Sequence, residues 1–245
     1  VYLMLSMLES MYLKRKTESM AIDQPVYICG LPRAGTTITL EFMSKHPDLA
    51  SHRNYQYAQP FLPYLLDRIY PRIPLGEDIA FERVHRDRMM INRTSPDVVE
   101  EIFWTVYFNN AHCESRSAVM DEKTGCPRFE RFYIDHIRKL LISRKASRYL
   151  TKNNYACTRI RYLLKLFPSA RFVILVRDPV NHVASYLKQD KLFCDLAAED
   201  PTWNAYLKGI GHFEFGPEKQ LVNTGNTDAT RRISEEWRSG NPIKA

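Results

Sequence analysis

The chain has 245 residues, 44% of them hydrophobic and 26% charged, with a formal net charge of +7. Such a chain is long enough for one large α/β domain with a sizeable core, and its composition is that of an ordinary globular protein. The positive balance favours anionic partners such as nucleotides, phosphates or acidic glycans, although a solvated basic surface carries the same charge.

In chain order, the opening VYLMLSMLESMYL is apolar but short and broken by Ser6, Glu9 and Ser10. It reads as an amphipathic helix packed on the domain, too short to span a membrane and unlike a signal peptide. The first residue is Val, so a trimmed anchor stays open as an expectation. Val26–Cys29 reads as a buried strand, followed by a glycine-bounded loop and a helix from about Thr36 to Lys45 that His46-Pro47-Asp48 stops. Helices are expected over Pro60–Tyr70, over SPDVVEEIFWTVYFNNA with Ser95 as N-cap and Pro96 at N1, and over Phe129–Ser147. Tyr149–Thr151 reads as a short strand, Arg159–Phe167 as a helix and Phe172–Val176 as a second buried strand, after which Asp178-Pro179 opens the next helix. Beyond Lys191, TWNAYLKGIGHF reads as a helix and turn, NTGNTDAT as a loop, and RRISEEWRSGNPIKA as an unfinished helix and tail, with truncation at this end expected. The strand–helix alternation predicts a single α/β domain over 1–245, built on a P-loop-like parallel β-sheet flanked by helices, with a helical substrate-capping insertion at about 55–148. Cys29, Cys113, Cys126, Cys157 and Cys194 form no C-x-x-C pair and no zinc spacing. They read as free thiols in a reducing, cytoplasmic setting, with a Cys113–Cys126 bridge left open.

VYICGLPRAGTTITLEF nearly spells G-x-x-x-x-G-K-[ST]. Gly30, Gly35 and Thr37 hold their places, but Thr36 stands where the lysine belongs and Arg33 supplies a cation inside the loop. A strand–loop–helix of this kind aims backbone N–H groups and the helix dipole at an anion. The absent lysine argues against a triphosphate, whose β- and γ-phosphates need it together with Mg²⁺. A sulfuryl group on a phosphosulfate carries less charge and is served by one loop cation plus backbone donors.

The second motif is ARFVILVRDPVNHVASYLKQ, with Arg177 at the C-terminal end of a strand and Ser185 eight residues on, placed to grip one phosphate from two sides. Together, Pro32-Arg33-Ala34-Gly35-Thr36-Thr37 and Arg177-Asp178-Pro179 with Ser185 resemble the superfamily of sulfotransferases that use 3′-phosphoadenosine 5′-phosphosulfate (PAPS), in its bacterial-type and carbohydrate-type branch. The resemblance covers roughly Gln24 to Lys191. It implies that Arg33 contacts the 5′-phosphosulfate and stabilises the leaving oxygen. Ala34, Gly35, Thr36 and Thr37 would supply backbone and hydroxyl donors, and Arg177 and Ser185 would hold the 3′-phosphate. Lys152 matches a lysine of related enzymes that assists the leaving group, although Asn153 to Ala156 depart from the Pro and His often found beyond it.

Transfer to a hydroxyl needs a base. Relatives place a Glu shortly after the H-P segment, where Arg53 and Asn54 stand here; His52 is the nearest group with a useful pKa, and Glu101 with its neighbour Glu100 is the other candidate. The glycine segment that closes over the cofactor in relatives has its nearest counterpart in Arg238-Ser239-Gly240. The expected reaction is in-line sulfuryl transfer to a carbohydrate, lipid or small-molecule hydroxyl, releasing 3′,5′-ADP without a metal. A degenerate P-loop kinase and a non-catalytic anion-binding protein of the same fold are the alternatives. Nucleic-acid binding is not expected, because the basic residues are scattered rather than interleaved with aromatics. The oligomeric state and the acceptor are not legible.

Overall fold

The computed structural model describes residues 2–108 and 111–240. Its centre is a parallel sheet in the order β2-β5-β1-β6, where β1 is Val26–Cys29, β2 Leu49–Ala50, β5 Arg148–Lys152 and β6 Arg171–Ile174. Val26 pairs with Leu150 of β5 on one side and with Arg171 of β6 on the other, which makes β1 central. Every residue of β1 is buried, as its run of apolar side chains requires of a strand covered on both faces. Alternation sends Val26 and Ile28 to one face, against Leu40 of helix α2 (Thr36–Met43). Tyr27 and Cys29 face the other way, into the larger core built on α4 (Glu100–Tyr107), α5 (Pro127–Arg144) and α6 (Ile160–Leu166). The N-terminal helix α1 (Tyr2–Ser19) packs on α5 and is pinned by an ion pair, Lys139 Nζ to Glu9 Oε2 at 3.1 Å, with both side chains almost fully buried. Among the described residues no helix is long and apolar enough to cross a membrane.

The sequence expectation of an α/β domain with a parallel sheet and flanking helices holds. The second strand, expected buried over Phe172–Val176, instead ends at Ile174 at the sheet edge and is partly to fully exposed, with Val176 beyond it 88% exposed. Several other boundaries differ. No helix starts at Pro96: the Asp97 N–H donates to the His52 carbonyl at 3.0 Å and Pro96 bridges to Arg53, so residues 96–97 run extended beside 52–53 and α4 begins only at Glu100. The span 55–148 holds α3 (Pro63–Ile69), α4 and α5, but also an antiparallel hairpin of β3 (Phe81–Glu82) and β4 (Met90–Ile91) that no pattern announced. Helix α7 (Pro179–Glu199) is N-capped by Asp178, whose side chain accepts from the Asn181 N–H, as the Asp-Pro signal predicts. The last residues of NTGNTDAT are helical rather than loop: Asn226 caps α9 (Thr227–Arg238) by accepting from the Ala229 N–H. Helix α8 (Thr202–Gly209) matches the expected helix and turn.

One buried charge cluster ties these layers together. Glu101 of α4 accepts two hydrogen bonds from Arg159, at 2.7 and 2.8 Å, and one from Asn153 Nδ2 at 2.7 Å, and it pairs with His112 Nε2 at 2.7 Å. Arg159 in turn lies over the Trp104 ring, 4.3 Å from its centroid. Burial works to raise the Glu101 pKa, but the Arg159 charge and hydrogen bonds overcome it and hold the group at about 2. Breaking such a pair leaves a charge buried without its partner, at a cost of about 3–5 kcal/mol. Arg159→Met is therefore expected to lower the unfolding free energy by about that amount in a urea titration. Because the folded pKa lies below the unfolded value of 4.5, Glu101 contributes its stability above pH 4.5 and loses it as pH falls toward 2.

Candidate functional site

The loop from Gly30 to Gly35 leaves β1 at the C-terminal edge of the sheet and enters α2. A Cβ at Gly30 would sit 2.9 Å from the Leu175 carbonyl oxygen and 3.1 Å from Thr36 Cγ2, so only glycine allows this approach of the loop to the strand end. Arg33 adopts a positive φ of 75°, uncommon for a side chain of its size, and Gly35 takes 99° just before the helix. No side chain caps the N-terminus of α2, leaving its first N–H groups for an external acceptor.

The two sequence motifs meet. Arg33 Nε donates to Ser185 Oγ at 3.3 Å, Arg177 Nη1 donates to the Arg33 carbonyl at 3.1 Å, and the His182 ring nitrogen Nε2 lies 2.6 Å from the Pro32 carbonyl. Arg33, Gly35, Thr36, Thr37, Glu101, Lys152 and Arg177 line one cavity of about 310 Å³. Thr36 Oγ1 donates to Asn154 Oδ1 at 3.4 Å. A larger, mostly apolar cavity of about 660 Å³ adjoins it, between Leu31, Val183 and Tyr186 of α7, and Ile233 and Trp237 of α9. The two share Pro32, Asn154 and Arg177 in their walls.

Other expected residues fall elsewhere. His52 does not line the cavity: it is buried in the core, its Nε2 2.8 Å from His136 Nε2 and its Nδ1 3.4 Å from the Tyr149 hydroxyl. Burial and the Arg144 charge push its pKa down to about 3, so its place is structural. Glu100 is likewise core, bonded to Thr151, Trp104 and Tyr133. Glu101 reaches the cavity wall, but its oxygens are taken by Arg159, Asn153 and His112. The Ala34 N–H donates to the Leu31 carbonyl at 3.1 Å, so it closes the turn rather than facing a ligand. Arg238 pairs with Glu114 at 3.0 Å and lines neither of the two adjoining cavities.

The structure adds residues that the sequence did not single out. The β3–β4 hairpin leans over the loop with Arg83, His85 and Asp87, and a strap after α8 brings His212 and Glu214. Asp87 accepts from Arg33 Nη1 at 2.8 Å and from Arg83, and Arg83 Nη1 also donates to Thr37 Oγ1 at 3.3 Å. Burial opposes ionisation of Asp87, but these two guanidinium groups hold it well below the usual carboxylate range. Glu214 Oε1 accepts from Asn154 Nδ2 at 2.8 Å. The pKa of Lys152 is lowered by burial, partly offset by the Glu214 and Asp97 carboxylates. The hairpin bears a dense charged run, R-V-H-R-D-R, but nothing in its spacing says that it folds onto the loop.

A loop cation, capless helix amides and an arginine just past the neighbouring strand, all at one edge of an α/β sheet, form an arrangement suited to a phosphate-type anion. The family to which the chain belongs is the Sulfotransferase family, whose model matches residues 25–206. No match was found among curated proteins. Two solved sulfotransferases, from Mycobacterium tuberculosis and Mycobacterium avium, align over 96% and 94% of this chain and 71% and 68% of their own. Their identities are 14% and 15%, with TM-scores of 0.44 and 0.47.

Asp87 occupies Arg33 and Arg83 much as a bound anion would. Removing its charge by Asp87→Asn is expected to tighten inorganic pyrophosphate by about tenfold, equivalent to roughly 1.4 kcal/mol. Calorimetric titration checks this, and unchanged affinity would show that Asp87 does not compete for the loop cation.

Proposed function

We propose that the chain moves a sulfuryl group from PAPS to a hydroxyl of a carbohydrate, lipid or small-molecule acceptor and releases 3′,5′-ADP. The observation that carries this reading is the contact of the two motifs, in which Arg33 is bonded to both Ser185 and Arg177. Two anions, one on the loop and one beside Arg177, would thus be held by a single connected set of donors. The residues fit the donor: Arg33, Lys152 and Arg177 are cationic, the α2 amides lack a cap, and Gly30 leaves room only for backbone.

The donor supplies a sulfuryl group joined through an oxygen to a phosphate that leaves with the electron pair. Arg33 with the amides and hydroxyls of Thr36 and Thr37 would bind the 5′-phosphosulfate, and Arg177 with Ser185 the 3′-phosphate. Lys152, which makes no ion pair within 4.0 Å among the described residues, would face the charge that develops on the leaving oxygen. The larger apolar cavity beside Arg177 would take the nucleoside, its size and lining being those of a small-molecule pocket. The smaller cavity, lined by Arg83, Asp97, Lys152 and Glu214, favours a polar hydroxyl compound such as a sugar over a lipid chain. Five free cysteines support action in a reducing compartment such as the cytoplasm.

Arg177→Ala is expected to weaken 3′,5′-ADP at least about tenfold while leaving the weaker 5′-AMP binding unchanged, since a charge-assisted hydrogen bond is worth roughly 1.5–3 kcal/mol. Equal loss for both nucleotides, or for neither, would remove the 3′-phosphate from Arg177.

A further inference from the structure

We propose that Asp97 is the catalytic base that accepts the proton of the acceptor hydroxyl, an assignment that rests on the sulfuryl-transfer reading above. Four carboxylates line the cavity beside the loop: Asp87, Asp97, Glu101 and Glu214. Three of them are already engaged. Glu101 is bonded to Arg159, Asn153 and His112; Asp87 is held by Arg33 and Arg83; Glu214 accepts from Asn154 and lies 3.2 Å from His212 Nδ1. Asp97 takes the Val98 N–H on Oδ1 at 2.7 Å and has the Tyr57 hydroxyl beside it, and it makes no ion pair within 4.0 Å among the described residues. No cation among them neutralises it, and it lines the cavity.

Its position is fixed by backbone rather than by side-chain partners. The Asp97 N–H donates to the His52 carbonyl and Pro96 bridges to Arg53, which locks residue 97 at the C-terminal edge of the sheet, next to the end of β2. Arg83 links the two sides of the cavity, acting on Asp97 and donating to Thr37 Oγ1 on the loop. The groups that face Asp97 are Lys152 from β5, Arg83 from the hairpin, His212 from the strap, and the phenols of Tyr57 and Tyr206. Burial raises the Asp97 pKa, and the Val98 N–H with the Lys152, Arg83 and His212 charges restrains the rise, so the carboxylate is a stronger base than an exposed aspartate. In the step, the acceptor oxygen forms the new O–S bond. The bond from sulfur to the bridging oxygen breaks with its electron pair moving to the phosphate, and the hydroxyl proton goes to Asp97.

The other titratable group in reach, His85, has its ring packed against Phe193, His212 and Phe215, and burial with Arg83, His212 and Lys152 keeps its pKa well below the ordinary value. Burial and its cationic neighbours thus work against proton uptake by His85.

The test combines two readouts on the full chain. First, ¹³C NMR of carboxyl-labelled protein without donor follows Asp97, assigned by the resonance lost in Asp97→Asn. Its midpoint is expected above 3.8 and is expected to move further up in Lys152→Met, because a positive neighbour has gone. Second, release of 3′,5′-ADP from PAPS is followed with water and with glucose as acceptors. Asp97→Asn is expected to slow release by about a hundredfold or more while binding 3′,5′-ADP as the unchanged chain does, and Asp97→Glu to recover part of the rate. An Asp97 that titrates at or below 3.8, or an Asp97→Asn rate within about threefold of the unchanged chain, overturns the assignment. Failure of the donor reading shows separately, as absence of 3′,5′-ADP binding by the unchanged chain, and removes both.

Discussion

The site depends on how closely the loop after β1 approaches the end of β6. Gly30 has no side chain to hold the strand end away, so the Leu175 carbonyl oxygen comes within 2.9 Å of where a Cβ would be. That approach lets Arg177, two residues further on, reach the Arg33 carbonyl, and lets α7 present Ser185 to the Arg33 guanidinium. The loop is thereby held in a backbone conformation that Arg33 would rarely choose alone, with φ at 75°. Strain of this kind persists only where surrounding contacts over-determine it, and here they come from three sides: α7, β6 and the β3–β4 hairpin.

The electrostatics follow from crowding opposite charges at one sheet edge. Arg33, Arg83, Lys152 and Arg177 would repel one another around an open cavity, and Asp87, Asp97 and Glu214 offset them. The carboxylates differ in what they are free to do. Asp87 and Glu101 are held ionised by guanidinium groups, which makes them fixed charges rather than proton acceptors. Asp97, held by backbone and short of partners, is the one whose environment pushes toward protonation. Pairs of acids driven apart by their surroundings are a common way to divide fixed-charge and proton-transfer roles within one pocket.

Much of this was legible in the sequence. The buried strand Val26–Cys29, the glycine loop and the Arg177-Asp178-Pro179 strand end carry local signals: an apolar run, glycines where the backbone must approach, and an Asp-Pro helix start. The first strand, the loop and the Asp-Pro helix start fold as read, whereas β6 stops at Ile174, three residues before Arg177, and lies partly exposed at the sheet edge. Arg33, Thr36, Thr37 and Arg177, the residues on those segments proposed to hold the anion, line one cavity, as their order in an α/β sheet requires. What could not be read arises from long-range contacts. Ser95-Pro96-Asp97 looks like a helix start, yet backbone bonds to His52 and Arg53, some forty residues earlier in the chain, hold it extended and turn Asp97 into the cavity. His52 lies close to the sheet edge in sequence but turns into the core to meet His136 on α5, a partner that no local pattern announces. The hairpin with Arg83 and Asp87 consists of two-residue strands, too short for alternation to show.

The central claim is that this loop and strand end together hold a nucleotide bearing both a 5′- and a 3′-phosphate. Calorimetric titration of the full chain with 3′,5′-ADP, 5′-AMP and Mg²⁺-ATP tests it most directly. Tight binding of 3′,5′-ADP with little affinity for 5′-AMP is expected. Preference for Mg²⁺-ATP would contradict it and point to phosphoryl rather than sulfuryl transfer.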